Sequence, residues 1–397
     1  MKSKVTQILK VAAIAASIAA FGPAALAQLN VPYADGSDGA LIISNNTVID
    51  LSQAGTGIWT NTSANPGKGT YDSSQWAVVF KYSSVTISNG ATLTFLNNST
   101  HAPVVWLVSN NVAINGTLNL NGQDANGDPL HLTEPGPGGF RGGGAPTYGN
   151  GSGFGPGGGA PSVPGVYSGY YGNPQILPLI GGSGNGGYNN NGGAGGGAIL
   201  VAAFGTITVN GTCIANGGAG DYYYQGGSGG GIRLVANQIQ GNGTIQAFAY
   251  NGSAADPGRI RLEGSTVSSN LLVNPYNGTV QPANPPVIFP ATNAPTVTIV
   301  SIGGLAAPAD PKARLDFNVD DDLTLATTNS VTIQLQTANF PTNGVVNVYI
   351  KPRNATQTVL QATLDGGTTN LANWHVSTVL NNGINQGHTV IQVRAAY

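Results

Sequence analysis

Val104-Val-Trp-Leu-Val108 runs through Val112-Ala-Ile114 into Asn115-Gly-Thr-Leu-Asn-Leu-Asn-Gly122, and the module then returns twice. Ala198-Ile-Leu-Val-Ala202 leads through Ile207-Thr-Val209 to Asn210-Gly-Thr-Cys-Ile-Ala-Asn-Gly217. Ile232-Arg-Leu-Val-Ala236 leads through Ile239-Gln240 to Gly241-Asn-Gly-Thr-Ile-Gln-Ala247. A clipped copy follows at Gly258-Arg-Ile-Arg-Leu262. Each copy carries strand-forming residues punctuated by glycine at the same place. No single module of this kind can bury its own apolar face, so successive copies must stack.

Working outward, Val85 to Phe95 reads as the second half of an earlier module: strand, Asn-Gly, strand. Shorter strands are predicted before it at Ala40–Ile43, Thr47–Asp50 and Trp76–Phe80. Gly90 and Gly116 lie 26 residues apart, and Gly211 and Gly243 lie 32 apart, each a suitable length for one coil with loops. Between Gly116 and Gly211 the chain carries one long insertion, 122–197, which is about one-third glycine without a Gly-X-Y period. It holds Tyr148, Tyr167, Tyr170, Tyr171 and Tyr188, and a shorter glycine-rich loop at 217–231 holds Tyr222, Tyr223 and Tyr224. Semi-ordered loops packed along one side of the stack are expected here.

The chain opens like a secretory signal peptide over 1–27. Lys2, Lys4 and Lys10 precede the apolar run Val11–Ala20, Gly22-Pro23 breaks it, and Ala25-Leu-Ala27 is a small-x-small cleavage site before Gln28. The apolar run is too short to span a bilayer. The expected setting is extracellular or cell-surface, with the periplasm as the alternative, and no membrane span after signal removal. Setting aside the three leader lysines leaves 11 basic against 16 acidic residues, a net of about −5 with no basic run, which argues against nucleic acid as a partner. Cys213, the single cysteine, lies in an apolar strand and is read as a buried, inert thiol.

Residues 281–295 contain Pro282, Pro285, Pro286, Pro290 and Pro295 and read as a stiff linker between the coil region, 28–280, and the remainder, 296–397. Beyond the linker the glycine excess ends. Seven strands are predicted at short spacing: 296–301, 312–317, 330–335, 345–350, 358–364, 374–379 and 389–394. Most alternate apolar and polar residues, which fits an immunoglobulin-like sandwich with Trp374 in its core and no disulfide.

The glycine-rich strands resemble those of right-handed parallel β-helix proteins. Gly226-Gly-Ser-Gly-Gly-Gly-Ile-Arg-Leu-Val235 and Gly258-Arg-Ile-Arg-Leu-Glu263 are similar to the coils of secreted bacterial surface proteins of unassigned function, and the tail resembles the Ig-like modules that follow such coils. The resemblance implies an all-β chain, a right-handed parallel β-helix followed by an Ig-like β-sandwich, in a cell-surface setting. It carries no catalytic residues. The pectin-degrading hydrolases of this fold use Asn-Thr-Asp, Asp-Asp, Gly-His-Gly and Arg-Ile-Lys motifs, and only Arg259-Ile-Arg261 approaches one of them.

No facing pair of carboxylates, serine elbow, zinc pair or phosphate loop is legible. Asp124, Asn126 and Asp128 place oxygens at alternate positions, as at the start of a calcium loop, with Glu134 behind them. The bland alternative is an Asx-rich turn. Tyr167, Tyr170, Tyr171, Tyr222, Tyr223 and Tyr224 are the ligand-binding candidates, since a phenol ring offers an apolar face and a hydroxyl to a sugar. Arg233, Arg259 and Arg261 alternate with apolar residues and are read as edge charge or as partners of Glu263 and Asp256. The leading expectation is a secreted, non-enzymatic protein for adhesion or envelope structure, with polysaccharide or cell-envelope partners. The alternatives are a β-helix carbohydrate-active enzyme, lyase or hydrolase, and a purely structural repeat.

Overall fold

The computed structural model describes residues 29–59, 68–127, 132–144, 153–159, 174–187, 190–220, 226–250, 257–307, 323–326, 329–352, 358–380 and 389–396. The chain is all-β, and its first part is built from three parallel sheets visited in turn. The first circuit supplies β1 (Ala40–Ile43) to sheet I and β2 (Thr47–Asp50) to sheet II. The short helix α1 (Gln53–Thr56) and the edge strand β3 (Thr70–Asp72) follow. The second circuit is β4 (Ala77–Phe80), β5 (Ser84–Ile87) and β6 (Thr92–Leu96), on sheets III, I and II. The third is β7 (Val104–Val108), β8 (Val112–Ile114) and β9 (Thr117–Asn119). The fourth, beyond the insertion, is β10 (Ala198–Ala203), β11 (Thr206–Val209) and β12 (Thr212–Ile214). The fifth is β13 (Gly231–Val235), β14 (Gln238–Gln240) and β15 (Thr244–Gln246). The last is β16 (Arg259–Glu263), β17 (Thr266–Val267) and β18 (Leu272–Asn274), with β19 (Thr279–Val280) closing sheet III. Among the described strands of these three sheets only β3 pairs antiparallel, at the edge of sheet III.

The register explains why the module repeats. Leu41, Val85, Val112, Ile207 and Ile239 pair in succession across sheet I. Leu93, Leu118, Cys213 and Ile245 do so on sheet II, and Val78, Val104, Ile199, Ile232 and Ile260 on sheet III. These columns share one buried core. Each such side chain stabilises the stack by about 1.5–3 kcal/mol relative to exposure. Leu51, Ala54 and Trp59 close the core beneath the first circuit. At the other end Val267 and Val273 are only partly covered.

Sheet III differs from the other two because its outer face is also buried. All five residues of Val104–Val108 and all six of Ala198–Ala203 are buried. Leu29, Val31, Leu179, Ile288 and Phe289 cover the outward Val105, Leu107, Leu200 and Ala202. The segment expected to stand clear as a spacer therefore lies, at 284–289, against the sheet. Asn284 Oδ1 accepts the backbone N–H of Asn30 at 2.9 Å, and Ile288 is buried. Proline suits such a strap, because it contributes apolar surface without a donor that would need a ladder partner.

The described parts of the insertion are neither helix nor strand, yet they are hydrogen-bonded side by side. Gly136 N–H donates to Gly195 O, Gly181 N–H to Gly138 O, Gly182 N–H to Gly196 O, and Ser228 N–H to Ser183 O from the second loop. A Cβ on Gly195 would overlap the carbonyl of Gly182, and one on Gly230 the carbonyl of Gly197. Glycine is thus required for close backbone approach, as it is at the axis of collagen.

The C-terminal part forms two antiparallel sheets around a second core. Its strands are β20 (Thr296–Ile302), β21 (Leu305–Ala306), β22 (Val331–Ala338), β23 (Val345–Pro352), β24 (Thr358–Gln361), β25 (Thr363–Thr368), β26 (Leu371–Thr378) and β27 (Thr389–Ala396). One sheet has the order β21-β20-β22-β26-β25 and the other β24-β23-β27. The strand predicted over 358–364 is divided at the buried Ala362, and the one predicted at 312–317 lies outside the described residues. Trp374 is buried, donates its indole N–H to Thr337 Oγ1 at 2.9 Å and meets Phe340 edge-on.

Candidate functional site

Two of the three residues proposed for calcium hold the backbone and each other's loops. Asp124 Oδ1 accepts the Ala219 N–H at 2.6 Å, tying the insertion to the loop after β12. Asn126 N–H donates to Asn191 Oδ1 at 3.2 Å, and Asn191 Nδ2 donates back to Asn126 Oδ1 at 2.9 Å. Asp128 lies outside the described residues, as do Tyr167, Tyr170, Tyr171, Tyr222, Tyr223 and Tyr224. Among the described residues no three His, Cys, Asp or Glu side chains gather as a metal site.

The other described carboxylates of this region are also engaged. Asp35 Oδ1 accepts the Ser37 N–H, Asp38 Oδ2 that of Lys81, Asp50 Oδ1 that of Ser52, and Asp72 Oδ1 those of Ser74 and Gln75. The Ser37 hydroxyl and N–H hold the Asp35 carboxyl down to about 2. Burial pushes Asp50 up, but hydrogen bonds from Ser52 and Gln53 together outweigh it and the net direction is down. A general acid needs the opposite direction.

Two charged clusters lie apart from the calcium and tyrosine candidates. The first is on the outer face of sheet III. Arg233 stands beside Arg261 on the neighbouring strand, and both reach Glu263 Oε1 through Nε, at 2.8 and 2.7 Å. Arg259 donates from Nη2 to the carbonyl of Ile180 in the insertion. Arg233, Arg259 and Glu263 are buried, so of the two expectations the structure shows the pairing with Glu263 and not solvated edge charge; Asp256 lies outside the described residues. Among the described residues Arg233 Nη1 has no hydrogen-bond partner. The sequence signal was available: strands that are apolar throughout have both faces covered, and arginines in line with such strands share that cover.

The second cluster joins the turn before β7 to the insertion. His101 Nε2 lies 3.6 Å from Glu134 Oε2, and Glu134 Oε1 pairs with Arg141. Asn98 Oδ1 accepts the Thr100 hydroxyl and the Ala102 N–H, which fixes the turn around His101. Nearby, the Trp76 indole donates to Thr100 O at 2.9 Å and stacks on Phe140. Trp76 and His101 both have positive φ, 49° and 47°, a region non-glycine residues seldom adopt. Such strain gathers at functional sites. Among the described residues the cluster has one carboxylate, one imidazole and one guanidinium, whereas glycoside hydrolysis uses two carboxyls. Glu134, which follows the calcium candidates in the sequence, has His101 and Arg141 as partners. The separation of 101 from 134 along the chain hides this grouping. Compared with known protein families, with curated proteins and with solved structures, the chain matches none.

Proposed function

We propose that this is a secreted, non-enzymatic protein of the cell surface or extracellular matrix, with polysaccharide as its ligand. On this reading the three sheets visited in turn are a right-handed parallel β-helix acting as a stiff shaft. The two antiparallel sheets are an Ig-like module carried beside it. One observation carries the non-enzymatic reading: each described carboxylate of the coil region is bound to a backbone N–H or to arginine. A carboxylate committed in this way holds turns and loops together, which supports a structural role for it. The tyrosine loops remain the candidate sugar platforms, and Asp124, Asn126 and Asp128 the candidate calcium ligands.

A second reading, a β-helix lyase or hydrolase with an unfamiliar site, draws support from the strained His101 beside Glu134 and Arg141. One assay separates the two. The full chain is incubated with soluble and insoluble polysaccharides, with and without calcium. Depletion of protein and release of reducing or unsaturated ends are read together. Depletion without release is the expected result. Release that disappears in His101→Ala establishes the enzyme instead, and neither signal leaves a purely structural repeat.

A further inference from the structure

The faces of the coil region differ sharply in charge. In the strands of sheets I and II the only charged residue is Asp50, at the end of β2, and it is tied to Ser52. The charges of the strands lie on sheet III, where Arg233, Arg259 and Glu263 are buried. An acidic polymer seeks cations, and the strands of sheets I and II offer none; a basic one seeks carboxylates, and they offer only Asp50, on the edge strand.

Sheet II adds order to neutrality. Thr92, Thr117, Thr212 and Thr244 pair in succession across four circuits, with Leu272 next in the column. None of these pairings contains a register shift. Strands in a sheet lie about 4.7–4.9 Å apart, so the four hydroxyls form a ladder of roughly 14 Å. No hydrogen bond of the described residues uses any of the four hydroxyls. On sheet I the corresponding hydroxyl of Thr208 is occupied by Gln240 Nε2 at 3.1 Å. The neighbouring column on sheet II runs Asn119, Ile214, Gln246 and Asn274, three amides interrupted by one aliphatic side chain. The ladder is edged by exposed aliphatic side chains: Val48 and Leu96 at one end and Leu272 at the other.

A pyranose polymer has the complementary pattern. It offers hydroxyls at the ring edge and C–H groups on the ring face, and a neutral one carries nothing that needs a counter-ion. Hydroxyls and amides that are already fixed by the sheet lose little freedom on binding. We infer that the outer face of sheet II, centred on Thr117 and Thr212, is a docking surface for a neutral, hydroxyl-rich polysaccharide. This rests on the reading of the protein as a polysaccharide binder and names the surface and the class of ligand.

The test uses the full chain and four probes: insoluble β-glucan, chitin, polygalacturonate and a sulfated glycan. Thr117→Val/Thr212→Val removes two hydroxyls while keeping the branched, strand-favouring shape. Thr117→Ser/Thr212→Ser keeps the hydroxyls, and Thr86→Val alters sheet I alone. Protection of the buried Cys213 thiol reports that each variant is folded. The expected result is retention by a neutral probe, weakened at least about tenfold in the valine variant and kept by the other two. Binding confined to the two acidic probes overturns the inference, as does a folded valine variant that binds like the parent. Those outcomes leave polysaccharide binding standing. Failure to bind any probe removes both.

Discussion

Arg233 Nε and Glu263 Oε1 meet at 2.8 Å on neighbouring strands, with side-chain exposures of only 3% and 5%. Arg261 shares the same oxygen. A single carboxylate therefore compensates two guanidiniums under the cover of sheet III. Removing one partner of a buried ion pair leaves the other charge uncompensated, at a cost of about 3–5 kcal/mol. Glu263→Ala is predicted to lower stability by that order, read from the denaturant midpoint. Replacing Arg233, Arg261 and Glu263 together by apolar residues of similar volume is predicted to recover much of the loss, since no guanidinium of the pair is then left without its carboxylate. A Glu263→Ala cost below about 1 kcal/mol would mean that the cluster is solvated after all.

Two glycines make a matched contrast. Gly195→Ala forces a Cβ into the carbonyl of Gly182, whereas Gly55, in α1, has open space around the same position. Overpacking a rigid site costs typically about 1–3 kcal/mol, and more where backbone must move. Glycine to alanine in an open helical site stabilises by roughly 0.5–1 kcal/mol. Thermal denaturation of the two variants should shift in opposite directions. Equal tolerance at both sites would show that the glycine packing of the insertion can open without penalty.

Cys213 gives a chemical reading of the same stack. Burial pushes its thiol up to about 12. The thiolate is the reactive form, so at neutral pH the folded chain should resist an aromatic disulfide reagent. Full reactivity is expected only across the unfolding transition. Rapid labelling under native conditions would contradict the packing of Cys213 between Leu118 and Ile245.

Acid should act through the turn carboxylates. Asp35 falls from the ordinary 3.8 to about 2 through Ser37, aided by Lys81. A depressed carboxyl stabilises the fold fully above its unfolded value and loses that contribution as pH falls from 3.8 toward 2. Asp35→Asn should therefore flatten the acid limb of the stability curve in that window and leave its shape near neutrality unchanged. Parallel acid limbs in parent and variant would rule out Asp35 as a contributor.

Much of the first core could be read from residue order. Val104–Val108, Ala198–Ala202 and Ile232–Ala236 announce one recurring strand because a repeated apolar run must stack on its own copies. The Asn-Gly pairs at 115, 210 and 242 mark the corner between sheets I and II for the same local reason. What stayed hidden is non-local. The strap at 284–289 looks like a spacer until an apolar outer face exists for it to cover. His101, Glu134 and Arg141 share no motif, since the insertion alone brings them together. Asp124 and Asn126 have the spacing of a calcium loop, but nothing in that spacing shows that Ala219 and Asn191 already use their oxygens.

One number recurs across the junction between the third and fourth circuits. Asn115 binds Asn210, Asn111 binds Thr206, Asn121 binds Asn216 and Asp124 binds Ala219, and every one of these pairs is separated by 95 residues. The insertion thus leaves the stack and rejoins it one circuit on without disturbing the register on either side. Closing a longer segment costs little, about 0.6 kcal/mol for each doubling of length. The junction is in effect a socket. The alignment of the third circuit against the fourth is held by these four pairs and does not depend on the length of the segment seated between them.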